Sequence, residues 1–269
     1  MDVPDDWTTG TVDSNGVALQ YYRTGEGPPL VLAHGFTDNG RCWEPLIADL
    51  AADYDVVAYD ARAHGRSDAP ETGYAIEDRV ADLVGLVDAL ELDDPILLGH
   101  SMGGNIVAWA AASHPELPRA VVLEDPAGML EMRDATHEER AAAVLESVDE
   151  WSNRSVDDIE AEYAETRPVL AHRLAVARTE CRPEIANIVR AGFPRATNTF
   201  PDVTAPTLVL KADDDSAGRA EDIEVAAALR NGRLVHVPDA GHCVFRDQYD
   251  AAYAELRGFL RWVSLTTTA

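Results

Sequence analysis

The chain has 269 residues, 46% of them hydrophobic, with 48 acidic against 22 basic side chains and a formal net charge of −26. That length accommodates one large α/β domain with an inserted subdomain, and no stretch approaches the ~18 apolar residues needed to span a bilayer. So acidic a surface repels nucleic acid and anionic membranes, so neither is an expected partner.

The acidic opening Met1-Asp2-Val3-Pro4-Asp5-Asp6 lacks the basic and apolar regions of a signal peptide, which predicts a cytoplasmic protein. Residues 16–23 alternate in polarity ahead of the turn Gly25-Glu26-Gly27-Pro28 and predict an early strand pair or an edge strand. Short apolar runs recur at 30–33, 56–59, 96–98, 120–123, 208–210 and 234–237. Each is leucine-rich or β-branched, as strands buried on both faces are. Helical periods lie between them: 76–92 places Val80, Leu83, Val84, Val87 and Leu90 on one face, and 249–263 does the same with Tyr253, Leu256, Phe259 and Leu260. Strand and helix alternating at this spacing predict a parallel sheet covered on both sides.

One interval breaks the rhythm. Between Pro126 and Pro206 there are only charged, alanine-rich helical stretches, at 137–151, 156–165 and 169–178. The interval starts at the carboxyl end of a strand, where α/β folds bind ligands. A helical lid over 127–204 is therefore expected, on a core of 1–126 and 205–269; residues 266–269 are expected to fray. Three scattered cysteines (Cys42, Cys181, Cys243) predict free thiols in a reducing compartment, without a disulfide framework or a metal site.

The sharpest signal is Gly99-His100-Ser101-Met102-Gly103-Gly104, between the 96–98 strand and an alanine-rich helix at 102–113. A G-x-S-x-G turn joining strand to helix exposes its serine at the top of the sheet and frees the next backbone N–H to bind an oxyanion. Ser101 is thus the candidate nucleophile. A serine hydroxyl needs a base and a group that orients it. His242, in the loop Asp239-Ala240-Gly241-His242 after the last strand, is the candidate base. The second oxyanion donor is expected from the loop His34-Gly35-Phe36-Thr37-Asp38, at the N–H of Phe36, beside that of Met102.

Taken together, His34-Gly35-Phe36, the segment Asp60-Ala61-Arg62-Ala63-His64-Gly65-Arg66-Ser67-Asp68, the G-H-S-M-G-G turn and Asp239-Ala240-Gly241-His242 resemble the α/β-hydrolase superfamily across essentially the whole chain. The resemblance implies the α/β-hydrolase fold: a mostly parallel eight-stranded sheet covered by helices, with a helical lid inserted before the penultimate strand. It also implies an architectural role for Arg62, His64 and Asp68. The chain departs from the family pattern at Ala63 and Ala212, where glycine is usual. The family commonly places its acid after the penultimate strand, here Asp215 in Ala212-Asp213-Asp214-Asp215. Some members place it one strand earlier, at Asp125 in Leu123-Glu124-Asp125-Pro126. H-G-F-T-D-N-G, L-E-D-P and Asn231-Gly232-Arg233 further resemble N-formylmaleamate deformylases, whose acid holds the earlier position. Asp125 is preferred over Asp215, with Asp213 third.

The expected activity is that of a serine hydrolase, a carboxylesterase or amidase cleaving a small ester or amide through an acyl-enzyme, with no cofactor. Lyase, acyl-transfer or perhydrolase chemistry on the same fold is the alternative, and a non-catalytic binding module a third. Arg41 is weighed as a contact for a substrate carboxylate against an exposed arginine, and Trp43 as helix packing against substrate stacking. Lys211 is the only lysine. With the acidic excess, this points to a salt-loving source, because high salt screens like-charge repulsion.

Overall fold

In the computed structural model, residues 3–129 and 135–266 are described; the ends of the expected frayed tail and of the acidic N-terminus lie outside them. The elements run β1 (Thr8–Ser14), β2 (Val17–Thr24), β3 (Pro29–Ala33), α1 (Glu44–Leu50), β4 (Asp55–Tyr59), α2 (Ile76–Ala89), β5 (Ile96–His100), α3 (Met102–Ser113) and β6 (Ala120–Glu124). Four helices follow, α4 (His137–Ser152), α5 (Val156–Tyr163), α6 (Ala171–Thr179) and α7 (Ile185–Ala191). The chain then returns through β7 (Thr207–Lys211), α8 (Ser216–Ala226), β8 (Gly232–His236), α9 (Val244–Asp247) and α10 (Tyr249–Thr266).

Among the described residues one sheet forms, in the order β1-β2-β4-β3-β5-β6-β7-β8. β1 and β2 pair antiparallel, as does β2 with β4, and every other pairing is parallel. The two-residue period of a strand explains how a continuous apolar run serves two cores. Val31, Val57, Leu97, Val121 and Val209 face α2 and α3. Their neighbours Leu32, Ala58, Leu98, Val122 and Leu210 face α1 and α10. β8 lies at the sheet edge and is partly exposed throughout, spanning 232–236 where the apolar run suggests 234–237.

The alternation at 16–23 belongs to an antiparallel hairpin with β1, whose mixed Thr-Thr-Gly-Thr sequence carries little apolar signal. Helix 76–92 stops at Ala89, since Leu90 leaves helical geometry and Glu91 takes a left-handed φ of 51°. α1, only seven residues long, and α8, with no buried apolar side chain, have no counterpart in the periodicity reading. Among the described residues, the regular elements between β6 and β7 are all helical.

Candidate active site

Three loops meet at the carboxyl ends of β5, β6 and β8. The first is the turn at Ser101. The backbone there has φ 49° and ψ −108°, a left-handed conformation that strains any residue with a Cβ. A Cβ on Gly103 would stand 2.1 Å from the Ala33 carbonyl oxygen, so only glycine lets α3 start this close to β3. The second loop starts at Asp125, also at positive φ (37°), whose N–H donates to Leu210 O at 2.8 Å. The two turns are stitched together: Ser101 N–H donates to Glu124 O, and Ala127 N–H donates back to Ser101 O, both at 2.9 Å.

The third loop carries His242. Asp213 N–H donates to Ala240 O, Asp239 N–H donates to the Asp213 carboxylate, and Gly241 N–H donates to Asp247 Oδ2. Held so, His242 places Nε2 2.9 Å from Ser101 Oγ and Nδ1 2.5 Å from Asp125 Oδ2. A carboxylate only accepts, so Nδ1 carries the proton and Nε2 is left to accept from the serine hydroxyl. The hydrogen bond to Asp125 raises the His242 pKa above its usual value, against the opposing effect of burial. Burial pushes the Asp125 carboxyl up, yet the His242 hydrogen bond and the Lys211 ammonium outweigh it and hold the group below the ordinary aspartate range.

Ser101, His242 and Asp125 are thus brought together, and Asp215 is not. Its carboxylate caps α8, accepting from the N–H groups of Ala217 and Gly218. Asp213 serves the loop backbone and pairs with Arg219. Phe36 and Met102 both line the cavity that contains Ser101. The Met102 N–H is one of the four that the start of α3 leaves without an intrahelical acceptor. Gly35 leaves room for the His100 ring, whose Nδ1 would be 2.6 Å from an added Cβ.

Arg41 departs from both of its sequence readings: it is buried, paired with Glu180 and set over the Tyr22 ring at 5.8 Å. Trp43 packs edge-on against Phe245. Arg62 forms a buried pair with Asp82, His64 bonds Arg62 O and Phe36 O, and Asp68 accepts from Ala18 N–H. Ala63 has φ 63° and no exposed surface, so it occupies the left-handed position glycine would fill.

Sequence reasoning passed over the polar groups beneath Ser101, His242 and Asp125. Lys211 approaches Asp125, and Glu124 is fully buried, its pKa raised to about 8 by that burial. His100, its pKa pushed down to about 3 by burial, donates from Nε2 to His242 O at 3.1 Å, and its Nδ1 lies 3.9 Å from Asp38. The usable signal for Lys211 was its uniqueness in the composition combined with its place on a buried strand.

The cavity over Ser101 has a volume of about 600 Å³. Its far wall comes from the inserted helices: Ala143 and Val144 of α4, Val189 of α7, and Phe193 beyond it. Arg140, Arg195 and His137 add positive or protonatable groups, and among the described residues no carboxylate lines it. A hydroxyl bonded to an imidazole that a half-buried carboxylate orients can pass its proton as it attacks an electrophile in such a cavity.

The model of the Alpha/beta hydrolase family matches residues 30–256. The 2-(acetamidomethylene)succinate hydrolase of Mesorhizobium japonicum is 30% identical over 254 residues, covering 89% of this chain and 90% of that one. A crystal structure of E-2-(acetamidomethylene)succinate hydrolase superposes with a TM-score of 0.80 at 26% identity, over 95% of this chain and 99% of that one. The enol-lactonase of Burkholderia xenovorans LB400 superposes at 0.75 with 27% identity, over 94% and 100% of the two chains.

Proposed function

The chain belongs to the α/β-hydrolase family, and we propose that it is a serine hydrolase that opens a small, carboxylate-bearing amide or ester through an acyl-enzyme. The observation that carries this reading is the continuous hydrogen-bonded run from Ser101 Oγ through His242 to Asp125. Ser101 Oγ attacks the acyl carbon while His242 Nε2 takes its proton. The carbonyl oxygen, now an oxyanion, is received by the N–H groups of Phe36 and Met102. The tetrahedral adduct collapses as the C–N or C–O bond breaks and His242 returns the proton to the leaving nitrogen or oxygen. Water then attacks the acyl-enzyme, giving its proton to His242 and restoring the Ser101 hydroxyl.

Arg140 and Arg195 support an acidic substrate, because both line the cavity over Ser101 in a chain with net charge −26. The M. japonicum relative, named for an acylated amino-methylene succinate, agrees with that chemistry. The helices of 127–204 act as the lid: they supply the far wall and exclude water from the acyl-enzyme.

A fluorophosphonate probe and a substrate panel test the reading. Ser101→Ala should lose all labelling. N-formyl and N-acetyl amides bearing a carboxylate should exceed their neutral methyl esters by about tenfold or more in kcat/KM, one charge contact contributing ~1.5–3 kcal/mol. Arg140→Gln and Arg195→Gln should erase that preference through KM. Unlabelled wild-type protein would remove the enzymatic reading, and equal rates on charged and neutral substrates would remove the acidic one. Peracid formation from hydrogen peroxide and acetate, with no amide or ester turnover, would instead favour the perhydrolase alternative.

A further inference from the structure

Behind Asp125 stands the only lysine of the chain. Lys211 ends β7, the strand beside β6, and its side chain is only 10% exposed. Its Nζ lies 2.6 Å from Asp125 Oδ1 and 3.8 Å from Oδ1 of Asp222 on α8. The other oxygen of Asp222 meets His236 Nε2 of β8 at 3.0 Å. The run of polar groups that starts at Ser101 therefore continues inward through alternating basic and acidic side chains: imidazole, carboxylate, ammonium, carboxylate, imidazole. A composition that uses arginine for every other cation keeps one lysine, and keeps it buried, where it adds nothing to surface hydration. An ammonium is a compact charge that fits between two carboxylates where the planar fork of arginine needs more room.

We propose that Lys211 is a positioning residue for the triad: its ammonium anchors Asp125 Oδ1 so that Oδ2 stays aimed at His242 Nδ1, and its charge disfavours a stored proton on the His242–Asp125 pair. This rests on Ser101 being the nucleophile. The terminal torsion of an aspartate is broad and two-fold, so a carboxylate held at one oxygen alone can swing. The ion pair with Lys211 at Oδ1 and the hydrogen bond from His242 at Oδ2 together oppose that rotation. The charged and titratable groups facing Lys211 are Asp125 of the β6 end and Asp222 of α8, with Glu124, His236 and His242 beyond them. The pair must be singly charged, with Asp125 ionised and His242 neutral, for Nε2 to accept a proton. A cation next to it opposes uptake of the extra proton, whichever of the two groups would carry it. Removing that cation raises the proton affinity of the pair, and the active form then needs a higher pH.

The rate of Ser101 labelling by a fluorophosphonate, followed against pH, tests this without knowledge of the natural substrate. Wild type should show one acid limb. Lys211→Met should move the limb upward by about one pH unit and lower the plateau about tenfold, well short of the loss expected for the triad acid itself. Lys211→Arg, which keeps the charge in a bulkier head group, should hold the limb near its wild-type position while lowering the plateau. Lys211→Gln provides a second neutral variant where methionine disturbs folding, checked by circular dichroism, and should shift the limb the same way. A folded neutral variant with an unmoved limb overturns the proposal, as does failure of both neutral variants to fold, which would make Lys211 a folding residue. Absence of labelling in wild type would instead overturn the assignment of Ser101.

Discussion

Asp125→Asn separates orientation of the base from every other feature of the site. The carboxylate oxygen sits 2.5 Å from His242 Nδ1, which puts the charge centres roughly 4 Å apart when the imidazolium forms. At the effective dielectric of a protein surface that attraction is about 4 kcal/mol, an upper figure because the His242 ring is exposed. By transition-state arithmetic it corresponds to about 10³ in rate. An asparagine that offers its NH₂ to Nδ1 also reverses the tautomer, leaving Nε2 protonated and unable to accept from Ser101, so the full loss should reach about 10³–10⁴ in turnover. Asp215→Asn is the control. Asparagine caps a helix as well as aspartate does, so stability should hardly change and turnover should change by less than about twofold. The assay is release of a chromogenic leaving group from a short-chain ester, normalised by active-site titration and run well below the unfolding range of either variant. That precaution is needed because Asp125→Asn leaves Lys211 with Asp222 as its remaining carboxylate partner. The sign of the pH effect follows as well: loss of the Asp125 charge lowers the His242 pKa, so the residual acid limb should fall to lower pH. A loss below tenfold for Asp125→Asn, or a large loss for Asp215→Asn, would refute the assignment.

Strain at the turn predicts a second outcome: Ser101→Gly and Ser101→Ala both remove the hydroxyl, but only glycine relieves φ 49°. The left-handed penalty of ~1–2 kcal/mol exceeds the ~0.5–1 kcal/mol of extra chain entropy, so calorimetry should find the glycine variant more stable; equal stability would argue against stored strain. Salt provides a third. Asp38, Asp60, Asp82, Glu124 and Asp222 are the acidic residues buried among the described ones, and the remainder face solvent to varying degrees. Potassium chloride at ~2–3 M shortens the screening length to about 3 Å or less and should raise the thermal midpoint, whereas an unchanged midpoint would sink the inference of a salt-adapted protein.

Some of this was legible in the residues alone, because it depends on local pattern. Apolar runs of five with turn residues on either side form buried strands wherever the chain goes next, and β3 to β7 lie where those runs lie. Elements with weak patterns escaped: β1 is rich in threonine, and α8 is opened by an aspartate that also fits the acid position of the family. Arg41 misled for a related reason, since nothing near it in sequence announces Glu180, which approaches from the inserted helices.

By itself the sequence determined the places of the buried strands β3 to β7, of α2, α3 and α10, and the candidacies of Ser101 and His242, since apolar runs, a strand–glycine–serine–glycine–helix turn and a histidine after the last strand are features of adjacent residues. Tertiary structure alone decided which aspartate meets that histidine. β6 and β7 are neighbours in the sheet, and an acid after either could reach; the sharp left-handed turn at Asp125 aims its carboxylate at His242, while four further residues carry Asp215 onto the first turn of α8. It decided equally that Lys211, unremarkable on its strand, would lie under the second oxygen of Asp125. Such pairings depend on how strands from distant parts of the chain come into register, which is a property of the packed sheet and of no single segment.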